Sequence, residues 1–502
     1  MQQTIIQAID AIAMQEPDRP AIDVLGQVNT YGELKAASDA IAADLTVRPL
    51  AAKAPILVYC DQSFAAIAAF LGCVKAGHAY IPVDTHSPND RLTMIEAIAE
   101  PALVIATAEL PVALKTPTMT PAQLAATMAD GAAAPVPTLE AGDNFYIIFT
   151  SGTTGQPKGV QISLANLQSF VDWMASFDLP EHARVLAQAP FSFDLSVMSL
   201  YPALTAGGCL KVLPKSTTAD LRQLVLALPK LTVDVWVSTP SFIEMCLLDP
   251  TFDAAHHPEL RQLYFCGEEL THKTAERLLD RFPAAEVFNT YGPTEATVAV
   301  TAVQISREIL AQYPRLPIGY AKPDTTLRLI ADTAQQEGDR VIGELAIAGP
   351  SVSKGYLNRP NKTAAVFTQD RGRQAYRTGD LGYIEDDGLI FYCGRTDFQI
   401  KLNGYRIELE EVNHFLNLAP MIRQGVAVPR YNREHKVSAL LAYVVPTAAD
   451  FDAKALTAAI HAHLQGVMMA YMIPSRFEFR DSLPLTQNGK VAIKALIQEV
   501  NA

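Results

Sequence analysis

Along most of the chain, short runs of β-branched and aromatic residues alternate with longer stretches rich in Ala and Leu. "APILVYC" (54–60) is apolar throughout and predicts a strand buried on both faces, and "SFAAIAAFLGCVKAG" (63–77) predicts a helix. "ALVIAT" (102–107), "VDVWVSTP" (233–240), "LRQLYFCGEEL" (260–270) and "AEVFNTYGPTEA" (285–296) predict further strands running into Gly, Ser, Thr and Pro turns. Strand followed by helix, repeated, predicts an α/β architecture with largely parallel sheets and ligand loops at the carboxyl ends of the strands. The Ala-, Pro- and Thr-rich region 105–140 predicts a partly irregular connection. From about 326 the texture changes. "TLRLIA" and "GELAIAG" predict strands of a smaller β unit, with turns at Gly338–Asp339 and Asp387–Gly388. After "CGRTDFQIKLNGYRIE" (393–408) comes helix, strand, strand, helix, the pattern of a compact α+β module. The expected division is a core domain 1–396 and a C-terminal domain 397–502, with no internal repeat.

With 502 residues, 49% of them apolar, the chain can fill more than one core. A net charge of −13 argues against non-specific nucleic-acid binding and against docking on anionic lipid. The six cysteines are scattered, with no CxxC pair and no His cluster at zinc spacing, which predicts reduced thiols rather than disulfides or a structural metal. The N-terminus lacks a basic region and an apolar core, and no stretch is long and apolar enough to span a bilayer. The expectation is a soluble, cytoplasmic monomer.

The sharpest chemical signal is "YIIFTSGTTGQPKGV" (146–160). An apolar run leads into Thr150, Ser151, Gly152, Thr153, Thr154 and Gly155 and closes on Lys158. Pro157 stands where a Walker A loop needs glycine, and glycine follows the lysine where Ser or Thr is needed, so this is not that motif. The physics is related: two glycines let backbone N–H groups approach an anion, three hydroxyls add donors, and Lys158 adds charge. The plain alternative is a flexible turn between two elements.

This loop and the stretches around it resemble the adenylate-forming superfamily of acyl-CoA synthetases, peptide-synthetase adenylation domains and luciferases. The resemblance runs in order along nearly the whole chain: "NTYGEL" (29–34), "VKAGHAYIPVD" (74–84), the glycine loop, "FSFDLS" (191–196), "NTYGPTEAT" (289–297), "GELAIAGPSVSKGYLNRP" (343–360), "YRTGDL" (376–381), "GRTDFQIKLNGYRIELEEV" (394–412) and "LPLTQNGKVAIKAL" (483–496). It implies an enzyme in which a carboxylate attacks the α-phosphate of ATP and pyrophosphate leaves, with Mg²⁺ assisting. By resemblance the glycine loop holds the β- and γ-phosphates, Asn289, Thr290, Tyr291, Gly292 and Pro293 bound the nucleotide, and Tyr291 offers an aromatic face to adenine. Thr294 meets the α-phosphate, Glu295 is the metal ligand, Asp380 accepts from the ribose hydroxyls, and Tyr392 and Arg395 lie nearby. Lys490, on the C-terminal domain, bridges the carboxylate and the nucleotide. A hinge at Asp397 then exchanges it for "KLNGYR" (401–406) in the second half-reaction.

Within the superfamily, an Asp at the place of Asp194 pairs with the α-amino group of an amino acid, so Asp194 predicts an amino-acid substrate. Its structural alternative is a helix N-cap. Cys266 stands where peptide-synthetase domains carry a smaller residue. With Met198 and Val298 it would shrink the pocket to hold little more than a methyl group, although a buried Cys is also an ordinary core residue. The whole most resembles the standalone ligases that load D-alanine onto the phosphopantetheine thiol of a D-alanyl carrier protein for lipoteichoic-acid modification. Asn403–Gly404 and "VAIKAL" depart from the peptide-synthetase pattern and leave the carrier contact open. Two other readings stand beside this one: an adenylating enzyme for another small amino acid, and a nucleotide-binding regulator without catalysis.

Overall fold

The structure is a computed structural model that describes residues 4–131, 139–151, 156–434, 436–448, 450–484 and 491–501. The chain forms two compact units. The first comprises Met1–Thr85, Ile98–Phe149 and Gly159–Thr396, and the second His86–Ala97, Thr150–Lys158 and Asp397–Ala502.

The first unit is α/β, built on three sheets. Its widest sheet has nine strands, in the order Tyr320–Ala321, Thr301–Gln304, Glu286–Tyr291, Gln262–Phe265, Val235–Ser238, Arg184–Ala187, Cys209–Val212, Pro20–Val24 and Gln27–Thr30. The six strands from Glu286–Tyr291 to Pro20–Val24 run parallel, and antiparallel strands flank them at both edges. Because they are parallel, strands ending at Ala187, Phe265 and Tyr291 deliver their chains to the same edge of the sheet. Asp194, Cys266 and the 292–298 turn follow those three strand ends. This is where an open α/β sheet places its ligands.

A second sheet orders Thr118–Met119, Leu103–Ala106, Ile56–Cys60, Tyr80–Asp84, Asn144–Thr150 and Lys158–Ser163. Every residue of Ile56–Cys60 and Tyr80–Asp84 is buried, as expected for parallel strands covered on both faces. The third sheet is antiparallel and smaller, with Arg340–Ala348 and Arg373–Ile384 at its centre. The turn at Asp387–Gly388 joins Arg373–Ile384 to Ile390–Arg395, with Gly388 at φ 90°. The turn at Gly338–Asp339 joins Gln335–Glu337 to Arg340–Ala348.

Region 105–140, read from the sequence as a partly irregular connection, holds more regular structure than its composition suggests. It contains the strand Thr118–Met119 and the helix Pro121–Ala129. Thr120 caps that helix, Gln123 returns the bond to the Thr120 backbone, and proline occupies the first turn. The Thr-Pro-Ala-Gln signal outweighs the irregular composition around it.

The second unit has its own core. The hairpin Gln399–Leu402 and Tyr405–Glu408, the helices Leu409–Leu418 and Ala453–Val467, and the sheet Ile422–Tyr431, Val437–Pro446 and Arg476–Phe479 enclose Ile407, Val412, Leu416, Ala442 and Leu464. Met94 packs against this core, which is why the 86–97 segment groups here. Asn403 and Gly404, at φ 51° and 82°, make the tight two-residue turn that an Asn-Gly pair favours. The junction is sharp. Thr396 bonds back to the Gly379 carbonyl within the first unit, while Asp397 accepts from the Gln399 N–H within the second.

Lys75, on helix Phe64–Lys75, is a buried cation at 1% exposure, and its ammonium lies 2.7 Å from Asp10 and 2.6 Å from Asp39. Lys75→Ala takes the buried cation away from Asp10 and leaves Asp39 to its ion pair with Lys35, and is expected to cost about 3 kcal/mol. Urea unfolding followed by tryptophan fluorescence checks this, since both tryptophans, Trp173 and Trp236, lie in the first unit. An unchanged midpoint would contradict it.

Candidate active site

The strand Glu286–Tyr291 ends in a tightly wound turn. Gly292 packs so close that a Cβ there would lie 2.6 Å from the Ala299 Cα and 2.7 Å from the Val298 carbonyl oxygen. Pro293 is extended, and Thr294–Ala296 form one 3₁₀ turn closed by the Ala296 N–H to the Pro293 carbonyl. Thr297 and Val298 then take φ values of 59° and 69°. Two successive β-branched residues in the left-handed region are costly, roughly 1–3 kcal/mol each. The surroundings hold them there: the Thr297 hydroxyl donates to the Ser351 carbonyl at 2.7 Å, and the Val300 N–H to the Tyr291 carbonyl at 2.8 Å.

The consequence is an inward-facing acid. Glu295 is fully buried, and the Tyr356 hydroxyl donates to its Oε1 at 2.7 Å. The Glu295 carbonyl accepts from the Ser353 N–H at 2.8 Å. Thr294 is buried beside it. Tyr356 was not singled out from the sequence. It stands in the "SKGYLNRP" stretch, where only its place beside a conspicuous motif could have drawn attention to it.

The same turn shapes the amino-acid end. The Cys266 thiol lies 3.7 Å from the Val298 carbonyl oxygen, so two of the expected pocket residues are in contact. Met198, Cys266, Val298 and Tyr291 belong to one buried cluster. Asp194 is buried at the start of helix Leu195–Thr205, the helix that carries Met198. It occupies the N-cap position with helical φ and ψ, and its side chain makes no capping hydrogen bond.

A third group gathers on the small antiparallel sheet. Asp380 pairs across the ladder with Arg395, and the two form an ion pair. The Tyr291 hydroxyl donates to the other Asp380 oxygen at 2.5 Å. Burial, with the Asp380 charge beside it, pushes the Tyr291 phenol well above its ordinary range, so it remains a donor. Tyr291 and Arg395 thus hold the two carboxylate oxygens, while the Asp380 backbone N–H donates to the Thr378 hydroxyl at 2.9 Å. Tyr392 lies on the neighbouring strand, with the Arg315 guanidinium 5.5 Å from its ring centre. Glu269 holds Arg315 through two bonds of 2.8 and 2.7 Å.

Asn289 and Thr290 are turned to the scaffold. The Asn289 amide donates to the Pro317 carbonyl at 2.7 Å, and the Thr290 hydroxyl to the Phe265 carbonyl at 2.9 Å. Their side chains brace the strand that carries Tyr291. In the second unit, the Ser151 hydroxyl donates to the Arg406 carbonyl at 2.9 Å, and the Lys158 ammonium lies 3.4 Å from Glu408. Thr150 Oγ1 is buried with no hydrogen-bond partner among the described residues. Gly152, Thr153, Thr154, Gly155 and Lys490 lie outside the described residues.

Tyr356→Phe removes a donor from a buried carboxylate while keeping the ring packed on Phe367, 5.5 Å away. With Glu295 in the role that the resemblance implies, it is expected to weaken ATP binding about tenfold and to leave Tm nearly unchanged. Titration calorimetry beside a thermal melt checks this. Equal affinity for the two proteins would show that the phenol does not support Glu295.

Comparison with known proteins identifies the family. Residues 9–357 match the AMP-binding enzyme family and residues 411–490 the AMP-binding enzyme C-terminal domain. The chain is 56% identical to a D-alanine–D-alanyl carrier protein ligase of Lactiplantibacillus plantarum, over 100% of both chains. It is 52% identical to one of Lacticaseibacillus rhamnosus, over 99% of both. The fold is that of the Vibrio cholerae adenylation domain AlmE, solved with glycyl-adenosine-5'-phosphate, at a TM-score of 0.82 and 24% identity, with 100% of this chain and 98% of that one covered. The chain belongs to the AMP-binding enzyme family, among the D-alanine–D-alanyl carrier protein ligases.

Proposed function

We propose that the chain activates D-alanine with ATP and passes it to the phosphopantetheine thiol of a D-alanyl carrier protein, supplying D-alanyl groups for lipoteichoic acid. The observation that most supports this reading is full-length likeness at 56% identity to a ligase of that name. The site is chemically suited to it. A D-alanine carboxylate oxygen attacks the α-phosphorus, the bond to pyrophosphate breaks, and D-alanyl-adenylate forms. The thiolate sulfur then attacks the acyl carbon, and AMP leaves.

In this reading Asp194 receives the substrate ammonium. A buried carboxylate is costly without a cation, so a carboxylic acid that lacks the amine binds poorly. Cys266, Val298 and Met198 bound the side-chain space. Thr294 donates to the α-phosphate. Asp380, braced by Tyr291 and Arg395, accepts from the ribose, and Tyr392 flanks it. Gly292 and Pro293 shape the turn, and Asn289 and Thr290 hold the strand behind it. Thr150, Ser151, Lys158 and the glycines between them meet the outer phosphates. Lys490 links the substrate carboxylate to the nucleotide, and Asp397 is the hinge that exchanges it for residues 401–406.

Mg²⁺ fits this site in one way. Among the described residues no group of three or more His, Cys, Asp or Glu could cage a metal. A single buried carboxylate, Glu295, suits an ion held chiefly by phosphate oxygens and water, as Mg²⁺ usually is. When bound, the ion would offset the negative charge of the phosphates. Among the described residues no helix is long and apolar enough to cross a membrane.

ATP–pyrophosphate exchange with D-Ala, L-Ala, Gly and D-Ser is expected to favour D-Ala, and Cys266→Ala to admit L-Ala. A preference for L-Ala or a bulky amino acid, or unchanged stereoselectivity in the variant, would contradict the assignment. Lys490→Ala is expected to slow adenylate formation by about a hundredfold or more. It should spare transfer from preformed D-alanyl-adenylate to the carrier thiol, read by single-turnover kinetics. Equal loss of both steps would count against the hinge.

A further inference from the structure

The segment 350–353 behaves as a fixed rail. The Asn166 amide donates to the Pro350 carbonyl at 2.6 Å and to the Val352 carbonyl at 3.0 Å. The Ser351 hydroxyl lies 3.3 Å from that of Ser169, which Lys322 also contacts, and Lys322 is anchored to Asp324 at 2.7 Å. Asn166 is in turn locked by reciprocal bonds with Ser163 at the head of helix Leu164–Ala175. The rail grips the 294–298 turn at two points, through the Ser353 N–H on the Glu295 carbonyl and the Ser351 carbonyl on the Thr297 hydroxyl.

The second grip falls on the residue that opens the strained pair. Without it, Thr297 and Val298 have every steric reason to leave the left-handed region. Val298 cannot move alone. Its carbonyl faces the Cys266 thiol at 3.7 Å, and its oxygen crowds Gly292. A turn that relaxed at 297 would carry the Val298 side chain and the Cys266 contact with it, and Glu295 would stay pinned by Ser353 and Tyr356.

We propose that Thr297 is a positioning residue for specificity: its hydroxyl, tied to the Ser351 carbonyl, holds the left-handed Thr297–Val298 pair and so fixes the width of the amino-acid pocket at Val298 and Cys266. This rests on the reading that those two residues line the D-alanine site. Thr297 touches neither substrate nor nucleotide in this account, and acts through its neighbour.

The test compares Thr297→Ser, which keeps the hydroxyl, with Thr297→Val and Thr297→Gly, which lose it. Glycine tolerates the left-handed conformation, so that variant folds without the tether. In the exchange assay both hydroxyl-less variants are expected to raise the KM for D-alanine roughly tenfold and to lower the D-Ala to L-Ala preference. The KM for ATP should stay within about twofold, because Glu295 and Asp380 are held elsewhere. Thr297→Ser should match the unaltered protein. In the same variants, Cys266 alkylation by iodoacetamide, read on its own peptide by mass spectrometry, should quicken relative to Thr297→Ser.

Unchanged D-alanine KM and stereoselectivity in either folded hydroxyl-less variant would overturn the proposal. So would a parallel rise in the KM for ATP, or failure of both variants to fold while Thr297→Ser folds, since Thr297 would then be structural only. Lack of D-alanine-dependent exchange in the unaltered protein would instead count against the substrate. The alkylation rates, which need no substrate, would still decide the tether.

Discussion

The turn between Tyr291 and Val300 is the constraint on which the candidate site depends. A strand edge turns back on itself within a few residues, so one face must be crowded and another exposed to ligand. Gly292 absorbs the crowding, with no space for a Cβ against Ala299. Thr297 and Val298 absorb the curvature in a backbone conformation that their branched side chains resist. In return the turn places a carboxylate, Glu295, and a small apolar side chain, Val298, three residues apart. In the proposed function one serves the nucleotide and the other faces the amino-acid side chain. Strain of this kind persists only when the surroundings over-determine it. Here Ser351, Ser353 and Tyr356 provide that hold from a distant part of the chain.

The other half of the geometry comes from sheet topology. Three parallel strands, ending at Ala187, Phe265 and Tyr291, release their chains at one edge. Each carries one element of the proposed amino-acid site: Asp194 at the head of a helix, Cys266 just past a strand end, and the turn itself. A buried aspartate with helical backbone angles that does not cap its own helix is a poor choice for stability. In the proposed function it receives the substrate ammonium. The antiparallel sheet adds Asp380, whose two oxygens are oriented by Tyr291 and Arg395. The phenol expected to serve adenine thus holds the carboxylate proposed to accept from the ribose.

Much of the fold was legible because strands and helices carry their period in the side chains. The strands Ile56–Cys60, Leu103–Ala106, Val235–Ser238 and Gln262–Phe265 all fall within apolar runs visible in the sequence, and Asn403–Gly404 marked its hairpin by turn chemistry alone. The helix Pro121–Ala129 was hidden by an Ala- and Thr-rich composition, although its cap was written in four residues. The residues proposed for the site stood out because they lie in contiguous motifs. Their supports did not. Tyr356 is 61 positions from Glu295, and Ser351 is 54 from Thr297. No periodicity links such pairs, and a Thr-Val dipeptide gives no sign of a left-handed backbone, since its chemistry argues for a strand.

The central claim is that Asp194, Cys266 and the 292–298 turn enclose one small amino acid at the end that meets the nucleotide. A crystal structure of the protein with the sulfamoyl analogue of D-alanyl-adenylate tests this directly. The account predicts the ligand's ammonium on the Asp194 carboxylate, its methyl group against Val298 and Cys266, and its ribose hydroxyls on Asp380. An analogue bound with its ammonium turned away from residue 194, or with its methyl group directed away from the Val298 turn, would contradict it.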